Sequence, residues 1–253
     1  MSARLDGRRA YVTGAGRGLG LAIATRLTEL GATVALTDLD EAAVRTAAEG
    51  IGGGAIGLRA DVTSEEDVRA SLEEAASRLG GLDIVVNNAG VEIARPIVET
   101  ESEEFRRLLD INVIGVFHGI KHAVPHLAGD GGVIVNLASV AGLGGSPLLG
   151  AYCASKGAVM RLTEVAAIEL RDSGIRVCSV CPAFADTEMV ERLVEPVQAT
   201  TGLAFEDIIA TKQQRLGTPQ DVAEGVAFLV SDEASWMTGQ PLILDGGMTG
   251  SLL

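Results

Sequence analysis

The chain has 253 residues, 47% apolar and only 3% aromatic, with 32 glycines; that is enough apolar chain for one large core and excludes a disordered polymer. Its formal net charge of −14 disfavours nucleic acid, anionic membrane surfaces and a strongly acidic protein as partners, because each asks for a basic patch. No apolar run is long enough to span a membrane, and Met1 to Arg9 is polar with no apolar signal core, so a cytoplasmic location is expected.

Strand and helix patterns alternate along the chain. Arg8 to Thr13 reads as a strand and Gly18 to Leu30 as a helix with Leu19, Ala22, Ile23, Leu27 and Leu30 on one face. Thr33 to Thr37 is a strand, Glu41 to Glu49 a helix and Ala55 to Ala60 a strand. Ser64-Glu65-Glu66-Asp67 opens the next helix with a capping-box pattern. Leu82 to Val86 is a strand, and one long helix is expected from about Ser102 to His126. Gly132 to Ala138 is a strand, Gly150 to Asp172 a helix and Ile175 to Cys181 a strand. Asp186 to Thr211 reads as irregular to helical, Pro219 to Ser231 as a helix and Pro241 to Leu244 as the last strand. This alternation predicts an α/β fold of Rossmann type: a doubly wound parallel sheet of seven strands with helices on both faces, in a single domain over 1–253.

Two patterns suggest metals or redox chemistry and are read otherwise. Cys178 and Cys181 fall three apart in a strand, on opposite faces, with no second pair to complete a zinc site, so the cysteines read as small buried apolar residues. His118, His122 and His126 recur every four residues, but Pro125 interrupts the stripe and no carboxylate falls between them in a zinc-protease pattern. No metal is expected.

The turn Thr13-Gly14-Ala15-Gly16-Arg17-Gly18-Leu19-Gly20 lies between the first strand and first helix, where a dinucleotide pyrophosphate can rest on a helix amino end. Asp38 ends the second strand, where an acidic side chain can accept hydrogen bonds from the adenosine ribose; it also fits as an ordinary helix-leading aspartate. Tyr152 and Lys156 are four apart in a helix and share a face. A phenol ionises near ~10, and a fixed ammonium nearby favours its phenolate, which would make it a usable base. Alone, the pair also fits a surface lysine beside a half-buried tyrosine.

Together these stretches resemble the short-chain dehydrogenase/reductase family over nearly the whole chain. The ordered matches are the Thr13–Gly20 turn, Asp61-Val62, Asn87-Asn88-Ala89-Gly90, Asn112, Ser139 and Tyr152-x-x-x-Lys156. The resemblance implies NAD as cofactor, cradled by Gly14, Arg17, Gly18, Leu19 and Gly20. Asp38 and Leu39 would meet the adenosine ribose, Asp61 and Val62 the adenine, and Asn88, Ala89 and Gly90 the underside of the cofactor. Pro182, Ala185 and Thr187 would contact the carboxamide. In catalysis, Tyr152 would exchange the proton, Ser139 would steady the substrate oxygen, Lys156 would hold the nicotinamide ribose and lower the tyrosine pKa, and Asn112 would hold a water in a proton relay. Ala183 stands where the family usually has glycine, and a positive φ there would strain it.

The implied reaction is hydride transfer between NAD and a secondary alcohol or ketone. A mobile lid is expected at about 188–211, with apolar residues such as Met189, Leu193 and Phe205 suiting a ring alcohol or steroid-like substrate. A 3-oxoacyl carrier-protein reductase is the alternative, weakened by the acidic chain and by the few basic residues near the lid (Arg192, Lys212, Arg215). A dinucleotide-sensing protein without catalysis is another, opposed by the complete set Asn112, Ser139, Tyr152 and Lys156. The family also implies a homo-oligomer, a dimer through the Ser102–His126 and Gly150–Asp172 helices or a tetramer that adds the Trp236–Leu244 region.

Overall fold

Seven strands lie side by side in one wholly parallel sheet. They are β1 (Arg9–Thr13), β2 (Thr33–Asp38), β3 (Ile56–Arg59), β4 (Ile84–Asn87), β5 (Gly132–Leu137), β6 (Ile175–Pro182) and β7 (Pro241–Leu244), ordered β3-β2-β1-β4-β5-β6-β7. The structure is a computed structural model and describes residues 4–127 and 131–250; Met1 to Ala3, at the head of the expected polar amino terminus, lie outside them. The central strands are buried on both faces, which is why Ile84-Val85-Val86 and Val133-Ile134-Val135 are unbroken apolar runs instead of alternating ones.

Helices cover both faces. On one, α1 (Gly18–Glu29) and α2 (Glu41–Ile51) pack with α9 (Pro219–Val230) through Ile23, Leu27, Val44, Val222 and Val226. On the other, α3 (Glu65–Leu79), α5 (Gly115–Leu127) and α6 (Gly150–Glu169) pack through Val68, Leu72, Ala123 and Ala166. The helix starts follow local chemistry. Ser64 Oγ accepts from the Asp67 N–H at 3.2 Å, and Thr218 with Asp221 closes a full capping box ahead of Pro219. Cys178 and Cys181 are buried in separate clusters on opposite sides of β6, as their spacing requires.

Two stretches differ from the sequence expectation. The long helix expected from Ser102 to His126 is α4 (Ser102–Leu109) and α5 joined by a π-helical turn over Asp110–Ile114. Such a turn adds one residue and rotates the helical face by one step, a local change that apolar residues on both sides of the turn hide in the sequence. Pro125 lies inside the last part of α5 without ending it. The Asp186–Thr211 stretch is two helices, α7 (Glu188–Thr201) and α8 (Phe205–Lys212), with a small core of their own: Val190, Phe205 and Ile209, backed by Phe184 and Val194.

The sheet order reverses between β1 and β4. Loops leaving their carboxyl ends diverge there, and this opens a crevice at the position where doubly wound sheets bind ligands.

Candidate active site

The glycine turn is strapped to the end of β4. Thr13 Oγ1 accepts from the N–H groups of Asn88 and Ala89, each at 3.0 Å. Asn88 Nδ2 donates back to the carbonyls of Thr13 (2.8 Å) and Gly14 (3.0 Å). Two glycines are demanded by close approach: a Cβ on Gly14 would lie 2.8 Å from Ala89 Cα, and one on Gly20 would run into the Gly14 carbonyl. Gly18 differs. It has φ +58° but open space where a side chain would go. The first turn of α1 carries no capping side chain and no carboxylate, so its N–H groups and positive dipole end face the crevice unanswered. That is a fitting bed for an anionic pyrophosphate.

Asp38 belongs to the same bed. Its Oδ2 accepts from the Gly16 N–H at 3.0 Å and its Oδ1 from the Asp40 N–H at 3.1 Å. The carboxylate is thus aimed by backbone groups on both sides. Asp61 holds its own turn by accepting from the N–H of Thr63 at 2.9 Å and its hydroxyl at 2.7 Å. His118 Nδ1 meets the Val62 carbonyl at 3.1 Å, and His122 Nε2 meets Glu65 Oε1 at 2.9 Å, so these two members of the histidine stripe have separate partners.

Gly14, Gly18, Asp38, Asp61, Val62, Asn88 and Ala89 line a single cleft of about 1850 Å³ together with Ser139, Tyr152 and Lys156. Of the residues expected in the site, only Gly20 and Asn112 do not line it. Gly20 supports the turn from behind. Asn112 is fully buried in the π turn: its Oδ1 accepts from the Val91 N–H, its Nδ2 donates to the Val91 carbonyl, both at 2.8 Å, and Nδ2 also reaches Ser155 Oγ at 3.1 Å. Ser155 Oγ in turn donates to the Tyr152 carbonyl at 2.8 Å. The carboxamide therefore clamps the loop after β4 to the helix that bears Tyr152.

Ser139, at the end of β5, donates to the Pro182 carbonyl and accepts from the Ala141 N–H, both at 3.2 Å. Lys156 is buried, and its Nζ donates to the Leu137 carbonyl at 2.6 Å. It sits 5.6 Å from the centroid of the Tyr152 ring. Burial dominates both groups. It pushes the Tyr152 phenol up to about 12, against a hydrogen bond from Ser139 and with help from the Glu92 charge. It pushes the Lys156 ammonium down to about 8. In the protein alone, burial is the largest influence on the phenol. Ala183 is free of the strain considered for it: among the described residues, the only non-glycine positions with positive φ are Leu148 and Gln214.

The chain is similar to known proteins over nearly its whole length. A family model described as enoyl-(acyl carrier protein) reductase matches residues 14–249. The meso-2,3-butanediol dehydrogenase of Serratia marcescens is 39% identical over 98% of this chain and 97% of its own length. The cis-4-hydroxycyclohexanecarboxylate dehydrogenase of Sinomonas cyclohexanicum is 41% identical over 96% of each chain. The crystal structure of a 3-ketoacyl-(acyl-carrier-protein) reductase from Brucella melitensis, complexed with NADH, superposes with a TM-score of 0.87 at 37% identity, covering 97% of this chain and 99% of that one.

The chain is a short-chain dehydrogenase/reductase.

As a member of that family it is an oxidoreductase of secondary alcohols and ketones that uses a nicotinamide dinucleotide. Its cleft holds polar groups that no local motif announces. Glu92, two residues past Gly90, has a side chain only 6% exposed and is bound through both carboxylate oxygens by Arg192 of α7, at 2.9 and 3.3 Å. Outside the cleft lining, Gln213, buried just past the end of α8, clasps the Phe184 backbone by accepting from its N–H (3.1 Å) and donating to its carbonyl (2.7 Å). Charge alternation along α7 could have flagged Arg192. Nothing near Glu92 in sequence could have named its partner.

Proposed function

We propose that this short-chain dehydrogenase/reductase oxidises a secondary alcohol with NAD, or reduces the matching ketone with NADH, and that its substrate is apolar or cyclic. The observation that carries the reading is the meeting of Tyr152, Ser139 and Lys156 in the cleft that also contains Asp38 and the open amino end of α1. The dinucleotide, when bound, supplies the hydride acceptor or donor at its nicotinamide ring. Gly14, Gly18 and the α1 N–H groups hold its pyrophosphate, with Leu19 and Arg17 beside them. Asp38 accepts hydrogen bonds from the adenosine ribose, with Leu39 next to it. Asp61 and Val62 border the adenine, while Asn88, Ala89, Gly90, Pro182, Ala185 and Thr187 line the nicotinamide half.

The phenol of Tyr152 is neutral in the protein alone, which suits it to give a proton to a ketone oxygen. In the oxidative direction it would take the alcohol proton, with the Lys156 ammonium, which would also hold the nicotinamide ribose, beside it to favour the phenolate. Ser139 Oγ, anchored between Pro182 and Ala141, fixes the substrate oxygen. Asn112 keeps the Gly90–Glu92 loop and α6 in register. Val140, Leu143, Met189 and Leu193 give the cleft an apolar surface, in keeping with the uncharged ring alcohols named for a cyclohexanol dehydrogenase and a cyclopentanol dehydrogenase among the relatives.

Assembly belongs to the same reading. Phe117 of α5 with Val165 and Ile168 of α6 leave apolar side chains exposed, and two such faces can pair about a twofold axis. Trp236, at 98% exposure, offers a second contact. Light scattering that finds only a 26.1 kDa monomer contradicts this part. The similarity to the Brucella reductase keeps a carrier-bound oxoacyl substrate as the second reading.

The test is turnover of 2-butanol, 2,3-butanediol, cyclohexanol and a 3-hydroxysteroid with NAD and NADP, and of a 3-oxoacyl thioester with NADH and NADPH, for the wild type and Tyr152→Phe. Activity on the alcohols that Tyr152→Phe abolishes supports the reading. Activity on the thioester alone selects the second. No turnover, or turnover untouched by Tyr152→Phe, overturns it.

A further inference from the structure

Helix α7 lies across the mouth of the cleft and is tied to the body at two points. Glu188 and Arg192, four apart on one helical face, both line the cleft. Glu188 Oε2 stands 3.9 Å from Arg17 Nε on the glycine turn, and Arg192 grips Glu92 on the opposite wall. Charges thus alternate from Arg17 to Glu188 to Arg192 to Glu92, from the cofactor end of the cleft to its substrate end.

The two pairs are unequal. Arg17 and Glu188 are both largely exposed, and such a contact contributes little. Glu92 is different: its side chain is 6% exposed while that of Arg192 is 59% exposed. A carboxylate withdrawn from water needs a fixed partner, and the partner here arrives from the lid with two parallel hydrogen bonds. The backbone next to Glu92 is held as well, since Asn112 clamps both polar groups of Val91. Gly90, two residues earlier, lies against the lysine: a Cβ there would be 3.5 Å from Lys156 Nζ. Glu92 lines the same cleft as Tyr152 and Lys156, and its charge is among the influences that raise the Tyr152 phenol.

We propose that Glu92 and Arg192 set the charge selectivity of the cleft. Glu92, in the cleft lining, neutralises and occupies the guanidinium of Arg192 that could otherwise greet an anionic substrate. Uncharged secondary alcohols are accepted, and alcohols carrying a carboxylate are rejected. Removing the Glu92 charge frees Arg192, so one substitution both relieves repulsion and supplies a binding group. The proposal rests on the reading of the Tyr152 cleft as the site of alcohol oxidation.

The test compares kcat/KM for two matched pairs, cyclohexanol against cis-4-hydroxycyclohexanecarboxylate and 2-butanol against 3-hydroxybutanoate. It uses the wild type, Glu92→Gln, Arg192→Gln and the double variant. In Glu92→Gln the carboxylate-to-neutral ratio should rise ~10-fold or more, the low end for a charge-assisted hydrogen bond. The rise should vanish when Arg192→Gln is added. Arg192→Gln alone should lower the ratio by ~3-fold or more, since it leaves Glu92 uncompensated. As a binding readout, cyclohexanecarboxylate should inhibit cyclohexanol oxidation more strongly in Glu92→Gln than in the wild type.

A ratio unmoved in Glu92→Gln, or a rise that survives loss of Arg192, overturns the proposal. Should circular dichroism show Glu92→Gln unfolded, the Arg192→Gln ratio decides, and no change in it overturns the proposal. A wild type active on the neutral alcohols but indifferent to both substitutions leaves the dehydrogenase reading standing and removes the selectivity. A wild type inactive on all four compounds removes both.

Discussion

Lys156 gives its proton donor to the Leu137 carbonyl, 2.6 Å away, and not to the phenol of Tyr152 on the same helix face. The two side chains meet as cation and ring, with 5.6 Å between Nζ and the ring centroid. In this arrangement each group is shifted by burial toward its uncharged form. The protein by itself holds a neutral phenol beside an ammonium of weakened hold on its proton.

The phenol can be read directly. Both tyrosines of the chain, Tyr11 and Tyr152, are raised by burial. Near-ultraviolet difference absorbance of the ligand-free protein should show no phenolate step at pH 10, where free tyrosine is half ionised. Tyr152→Phe should cost at least ~10²-fold in turnover, the lower range for a positioned acid or base, with dinucleotide binding by fluorescence quenching largely kept. A phenolate step at pH 10, or near-normal turnover of the variant, contradicts the assignment.

Lys156 ties stability to pH. Its proton is kept to about 10.5 in the unfolded chain and only to about 8 in the folded one. Between those values the unfolded state binds more protons, so this group's contribution to stability rises with pH across that window and is least favourable below it. Lys156→Met should therefore be more stable than wild type at neutral pH, by at most on the order of 3 kcal/mol. The Leu137 carbonyl, which loses its donor, offsets part of that gain. Urea unfolding of both proteins should show the gap closing as pH approaches 10.5. A gap that widens with pH refutes the assignment.

Two glycines should behave oppositely. A Cβ at Gly20 has the Gly14 carbonyl and the Asn88 side chain in its way, whereas Gly18 faces open cleft with φ +58°. Gly20→Ala should lower the melting temperature through a shifted turn. Gly18→Ala should cost about 1 kcal/mol or less, in line with a left-handed residue given a side chain, yet weaken dinucleotide binding because the new methyl group enters the anion bed. Equal effects of both on melting, with binding intact in Gly18→Ala, would show that the bed lies elsewhere.

Asp38 decides between NAD and NADP in the proposed reading. A phosphate on the adenosine ribose would meet its carboxylate at short range, and two like charges ~4 Å apart repel by roughly 4 kcal/mol at an effective dielectric of 20, less where solvent enters. A preference for NAD of ~10²-fold in kcat/KM is expected. Because Asp38 also accepts from the Gly16 and Asp40 N–H groups, the informative variant is Asp38→Asn, which keeps an acceptor while losing the charge. It should erase at least ~10-fold of the preference. A wild type equally active with NADP would show Asp38 has another task.

Helices α7 and α8, the stretch expected to act as a lid, carry their own small core, with Phe205 edge-on to Phe184 at 5.4 Å between centroids. Such a unit can swing on its connections without unfolding. Hydrogen exchange in the ligand-free protein should be faster in α7 and α8 than in β5, and dinucleotide plus substrate should slow it. Exchange as slow in α7 as in β5 from the start would mean the stretch is a fixed wall.

What the sequence determined by itself is whatever a residue and its near neighbours decide. Val, Ile and Leu runs must be buried strands, the glycines after β1 must form a tight turn, and Ser64 and Thr218 must start helices. Tyr152 and Lys156 must share a helix face because 3.6 residues make a turn. The tertiary structure alone decided the rest. Asn112 sits in a π turn because its carboxamide is satisfied by Val91, 21 residues earlier, and by Ser155, 43 later. Lys156 is pulled to Leu137 because burial makes a carbonyl partner obligatory. Glu92 finds Arg192 across 100 residues and Phe184 finds Gln213 across 29, since a group withdrawn from water takes the partner that packing brings near, and packing leaves no periodicity in the chain.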